Sequence, residues 1–144
     1  MTPATAGAPV ASKPLPRTPR AFEVACAPDR SYVGHLRQVT AGYLGLWDVH
    51  GSVADNIVLA VSELVSNSVL HGKGGISLRI RYAAPDLRVD VTDANPTPAE
   101  LRNAGDDEDS GRGMFLVAVF SRAWGVSKDG RTTWCRFRVP TGRP

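Results

Sequence analysis

The chain has 144 residues, with 17 Lys+Arg against 14 Asp+Glu, a formal net charge of +3 and a pI near 9.2. That length gives one domain able to bury a core without disulfides or a structural metal. Lys13, Arg17 and Arg20 lie in the first twenty residues, which hold no acid, and the other 14 basic residues balance all 14 acids. The basic pI is therefore a property of a tail and does not mark the domain as a nucleic-acid binder.

Residues 1–20 also hold five of the 11 prolines, with Ala, Thr and Gly between them, a composition that predicts a disordered tail ahead of a domain at 21–140. No apolar run of signal-core length follows its basic residues, and no later stretch reaches the ~18 continuous apolar residues of a membrane span. Cys26 and Cys135 lack metal-ligand spacing and fall in strand-like patterns, which predicts small core side chains. The expectation is a soluble cytoplasmic protein.

Phe22, Val24 and Cys26 alternate with Glu23 and Ala25, the period of a strand closed by Pro28. Asp29 is placed to cap a helix whose apolar positions Val33, Leu36, Val39 or Thr40, and Tyr43 or Leu44 recur at helical spacing. Ser52-Val53-Ala54-Asp55 has the form of a capping box, with Asp replacing the commoner Glu. It introduces Ile57, Val58, Val61, Leu64, Val65 and Val69, which keep the helical period until Gly72, Gly74 and Gly75. A helix is predicted over 53–71.

Ile76, Leu78, Ile80 and Tyr82, then Leu87, Val89 and Val91, alternate with polar residues about Pro85-Asp86, predicting an antiparallel hairpin with one buried face. Residues 94–112 show no period, and a loop that long inside a compact domain implies a function for it. Met114, Val117, Ala118 and Phe120 predict a short helix. Asp129-Gly130 then turns the chain into a strand carrying Thr133, Cys135, Phe137 and Val139 on one face. The order β-α-α-β-β-loop-α-β-β reads as α+β, a two-layer sandwich with a mixed, mostly antiparallel sheet and its helices on one face.

Three features carry chemistry. Glu63, Asn67 and His71 fall at i, i+4 and i+8; at about 100° per residue they drift by only ~40° per step and share one side of the helix. Asp93 stands where the second hairpin strand runs out. Ser110-Gly111-Arg112-Gly113 enters the next helix, where glycines allow close backbone approach and a helix start offers free N–H groups to an anion. Each has a bland reading, respectively a solvated helix face, a strand end and a turn. Their order and spacing together argue against coincidence.

Glu63-Leu64-Val65-Ser66-Asn67-Ser68-Val69-Leu70-His71-Gly72 resembles the N-box of the GHKL (Bergerat) ATP-binding superfamily, in the form found in bacterial anti-sigma factors with serine-kinase activity, the RsbW type. Val91-Thr92-Asp93 to Pro96 and Ser110 to Val117 resemble its next two boxes, and Trp124-Gly125 with Gly130 to Trp134 resembles the ending of the actinobacterial branch. The resemblance spans about residues 22–139. It implies a Bergerat fold using ATP and Mg²⁺: Asn67 as metal ligand, Glu63 as general base, Asp93 accepting from the adenine amino group, and Gly111 and Gly113 contacting phosphates. Arg112 would reach phosphate or pair with lid acids, Ala94 to Ser110 would form the lid, and His71 is read as the cation of the helix's last turn. The superfamily usually has glycines after the strand-end Asp, whereas here Asp93 is followed by Ala94-Asn95-Pro96; Asn tolerates positive φ, so the turn can survive.

The implied function is an anti-sigma factor that phosphorylates an anti-anti-sigma (STAS-type) protein on serine, binds a sigma factor and is plausibly a homodimer. The competing reading is a protein-sequestering module that keeps nucleotide as a structural ligand or has lost it. A histidine-kinase fragment fits less well, because His35 lacks an acidic neighbour. Direct DNA binding is not expected: Arg79, Arg81 and Arg88 share a strand face, but no aromatic interleaving or recognition-helix pattern accompanies them.

Overall fold

In the computed structural model, residues 20–71, 73–94, 114 and 116–140 are described, and the elements follow the predicted order. They are β1 (Arg20–Cys26), α1 (Ser31–Leu46), α2 (Gly51–His71), β2 (Ile76–Ala83), β3 (Asp86–Thr92), β4 (Ala123–Val126) and β5 (Thr132–Arg138). Residues 116–120 are helical ahead of β4. The sheet order is β1-β2-β3-β5-β4. All four pairings are antiparallel, so among the described residues the sheet is not mixed. The β4–β5 hairpin inserts its second strand beside β3 in the opposite sense, which leaves no parallel neighbour.

Register sorts the side chains into two faces. Across the strands, Phe22, Ile80, Val89, Cys135 and Trp124 form one inward row, and Val24, Leu78, Val91, Thr133 and Val126 the next. α2 lies on this face, against β2, β3 and β5, and α1 packs on α2. Its buried residues Ile57, Ala60, Val61, Leu64 and Val65 are the apolar stripe read in the sequence. Each fully buried aliphatic side chain of this kind contributes roughly 1.5–3 kcal/mol. By length and mean hydropathy α2 could cross a membrane, but here its apolar stripe packs against the sheet and α1.

Some boundaries differ from the sequence expectation. α2 starts at Gly51, with φ 77°, so Ser52 falls inside the first turn and does not flank it as a capping-box residue would. Arg20, counted above with the tail, is the first residue of β1. Its guanidinium lies 5.4 Å from the centre of the Tyr82 ring, an arrangement that lets a cation occupy a strand end on the core side. Asp29 does serve the start of α1: its carboxylate accepts the Ser31 backbone N–H at 2.9 Å. Cys135 is fully buried, and burial pushes its thiol far up, as suits an inert core side chain.

The sheet has two dissimilar ends. At one, Phe22 stacks on Tyr43 with centroids 4.3 Å apart, while Trp47 stands 6.1 Å from both Phe22 and Tyr82. This aromatic cluster closes the core beneath the α1–α2 connection. At the other end, α2 finishes at His71, β3 runs out at Thr92 and β5 begins at Thr132. The polar residues collect there.

Candidate functional site

The buried stripe of α2 changes character over its last two turns, where Asn67 and Ser68 take positions that Ile57, Val61 and Leu64 hold earlier. Asn67 is 5% exposed, and its side-chain oxygen Oδ1 has no hydrogen-bond partner among the described residues. Such an atom costs on the order of 1–3 kcal/mol when left unpaired, so its retention points to a ligand that completes it. Glu63 is one turn earlier and half-buried. Burial raises its carboxyl above the usual range, and the charge of Arg37 on α1 opposes that rise. A carboxylate tuned upward is nearer the range a general base works in.

Asp93 follows β3 and is 4% exposed. Two backbone bonds fix its position: its own N–H donates to the Arg131 carbonyl at 2.9 Å, and the Ala94 N–H donates to the Lys73 carbonyl at 2.9 Å. The second bond ties the segment after Asp93 to the segment leaving α2. Gly74, at φ 70°, makes that exit turn in a region closed to most side chains. The Asn67 end of α2, the Asp93 segment and the start of β5 thus meet at one end of the sheet. Gly111, Arg112, Gly113 and residues 95–110 lie outside the described residues, so the proposed glycine anion site and lid do too.

Thr133 was read from the sequence only as a core-face residue. It is buried, in the same inward row as Val91 and Val126, and is the hydroxyl in an otherwise apolar row at the polar end of the sheet. A Thr at the first inward slot of β5, followed by Cys135 and Phe137, is the pattern that could have singled it out. The β4–β5 turn beside it is set by Asp129, whose Oδ1 accepts from Ser127 Oγ at 2.6 Å and from the Arg131 N–H at 3.0 Å. The same turn presents the Arg131 carbonyl to Asp93.

The donor set fits a hard cation in one respect. An amide oxygen such as Asn67 Oδ1 suits Mg²⁺, which takes few protein ligands and keeps others from water and phosphate. Among the described residues no three His, Cys, Asp or Glu side chains group as metal ligands. Any such ion would therefore depend on Asn67 together with oxygens from a bound anion.

An open antiparallel sheet, helices on one face, and buried polar groups gathered where the central helix ends define a two-layer α+β sandwich with a candidate ligand site at one end of its sheet. Residues 26–138 match the histidine kinase-like ATPase domain, and the chain belongs to that family, whose fold is an ATP-binding one. Among solved structures it is similar to the RsbU and RsbW domains of Rv1364c from Mycobacterium tuberculosis, with TM-score 0.58 and 15% identity. That match covers 87% of this chain and 33% of the other, so this chain spans about a third of that protein's length; at this identity the likeness is one of fold. Comparison with curated proteins gave no match.

Proposed function

We propose that the chain is an ATP-binding regulatory protein of the anti-sigma type, with Mg²⁺-dependent protein-serine kinase activity toward an anti-anti-sigma partner in the cytoplasm. The observation that carries this reading is the unpartnered, buried Asn67 Oδ1, placed one turn from a carboxylate whose proton affinity burial has raised. Family membership supplies the ATP, and the likeness to a structure containing an RsbW domain supports the regulatory class.

On this reading Asn67 would hold Mg²⁺ through Oδ1, and the bound ion would supply charge neutralisation for the phosphates. Glu63 orients the acceptor serine hydroxyl and takes its proton. Asp93, held through its own N–H to the Arg131 carbonyl and through the Ala94 N–H to the Lys73 carbonyl, accepts from the adenine amino group and sets base selection. Gly111, Arg112 and Gly113 contribute phosphate contacts, as the sequence motif implies.

The test combines calorimetric ATP titration, with and without Mg²⁺, and phosphoserine detection on a purified STAS-type acceptor protein. Glu63→Gln is expected to leave ATP binding in place and to lower phosphoserine formation by about 10²–10⁴-fold, the usual worth of a general base. ATP binding without any phosphoserine formation would reject the kinase part. Failure to bind ATP would reject the site.

A further inference from the structure

The sheet covers one face with helices and leaves the other without a second layer among the described residues. Register brings Arg81, Arg88 and Arg136 side by side on adjacent strands of that open face. Like charges placed directly opposite one another destabilise a sheet, so this row requires compensation. Asp90 provides part of it. Its carboxylate is largely buried and accepts from Arg88 Nε at 2.9 Å and Arg81 Nη2 at 3.4 Å, while Asp86 stands 3.7 Å from Arg136.

Beside this row, Trp134 lies across Gly125. A Cβ built on that glycine would come within 2.7 Å of the indole, so only glycine leaves the space. The Arg88 guanidinium sits over the same ring, 4.8 Å from its centroid. Two more arginines on this face, Arg79 and Arg138, are exposed and form no ion pair with the described residues.

We infer that this open face is a docking surface for an acidic segment of a partner protein, read by the arginines around Trp134. The charge count favours such an occupant. Five arginines share the face with three acids, of which Asp86 and Asp90 are engaged with arginines and Glu23 accepts from Ser77 Oγ at 3.0 Å. Arg81, Arg88 and Arg136 remain partly exposed, at 45%, 38% and 41% of their side chains, and their forks can take further carboxylates.

Nucleic acid fits less well. Single-strand binding uses aromatic faces as stacking platforms, and the indole is already occupied by Gly125 and Arg88. The inference does not depend on the ATP site, which lies on the helix-covered side of the sheet.

The test uses a fluorescein-labelled Glu/Asp-rich 15-residue peptide, with a scrambled Gln/Asn peptide and a 15-nucleotide DNA strand as comparisons, read by anisotropy on the full chain. The acidic peptide is expected to bind, and its affinity to fall as salt rises from about 50 to 300 mM because exposed charges are screened. Arg79→Gln with Arg138→Gln, which touches no ion pair, is expected to weaken binding by about threefold or more. Adding Arg81→Gln and Arg136→Gln should bring the loss to at least about tenfold. Melting curves for both variants verify that the sheet is intact. Equal binding of the Gln/Asn peptide, tighter binding of the DNA strand, or affinity unchanged by the four substitutions would overturn the inference. So would a concentration-dependent dimer in sedimentation that the same substitutions dissolve, because the face would then be closed by a second copy.

Discussion

The two ends of the sheet solve opposite problems with the same helices. At the aromatic end, Phe22, Tyr43, Trp47 and Tyr82 fill the space between β1, β2 and the α1–α2 connection. At the polar end the same central helix buries an amide oxygen without a partner and a half-buried carboxylate. One end lowers the free energy of the fold, whereas the other keeps polar groups at a cost in stability. The aromatic residues lie on β1, β2, α1 and the α1–α2 connection, whereas Glu63 and Asn67 lie on α2, so substitutions at the two ends are expected to act separately.

Trp47→Ala gives the largest expected effect. Trp47 is buried and touches three other aromatic rings, so the truncation should cost about 3–5 kcal/mol in urea unfolding. At temperatures where the variant stays folded, its ATP affinity should equal that of the wild type. A variant losing affinity in proportion to stability would show that the ends are coupled. Asn67→Ala is the inverse case. Removing the orphan oxygen relieves a penalty while opening a small void, so stability should move by less than ~1 kcal/mol. Mg²⁺-dependent ATP binding should fall by about tenfold or more in the same titration.

Gly125→Ala tests the open face. The new methyl would meet the indole of Trp134, and overpacking of this kind costs about 1–3 kcal/mol. The loss should shrink in a Trp134→Ala background. If the two substitutions instead add, the indole is not what demands glycine at this position.

Much of the architecture was legible because its signals are local. The α2 period, the Ile76–Val91 alternation and the Asp129-Gly130 turn each lie within one segment, and the polar switch at Asn67 is visible as an amide in an apolar stripe. What could not be read depends on register between distant segments. Arg81, Arg88 and Arg136 become a row only when β5 pairs with β3, and the Trp134–Gly125 contact is fixed by the register of the β4–β5 hairpin. Arg20 looked like tail because a basic residue after proline gives no strand signal, yet Tyr82 offers its cation a ring. The Ser52 capping box failed for a related reason: a glycine at positive φ opens α2 two residues sooner.

The smallest effect concerns Glu63, and its sign is fixed by burial. Its folded-state pKa lies above the reference value of 4.5, chiefly through desolvation. At pH values above the raised pKa the ionised carboxylate therefore opposes folding, whereas below 4.5 it is protonated in both states and costs nothing. Glu63→Gln should accordingly be more stable than the wild type near pH 7. That advantage should close as pH falls through the raised pKa toward 4.5, as urea midpoints between pH 4 and 8 would record. Arg37 acts against the desolvation, so Arg37→Gln should raise the Glu63 pKa further and enlarge the gain from Glu63→Gln. Independent pH profiles for the two substitutions would remove Arg37 from the site. Coupled profiles would show that Arg37 on α1 sets part of the electrostatic environment of Glu63.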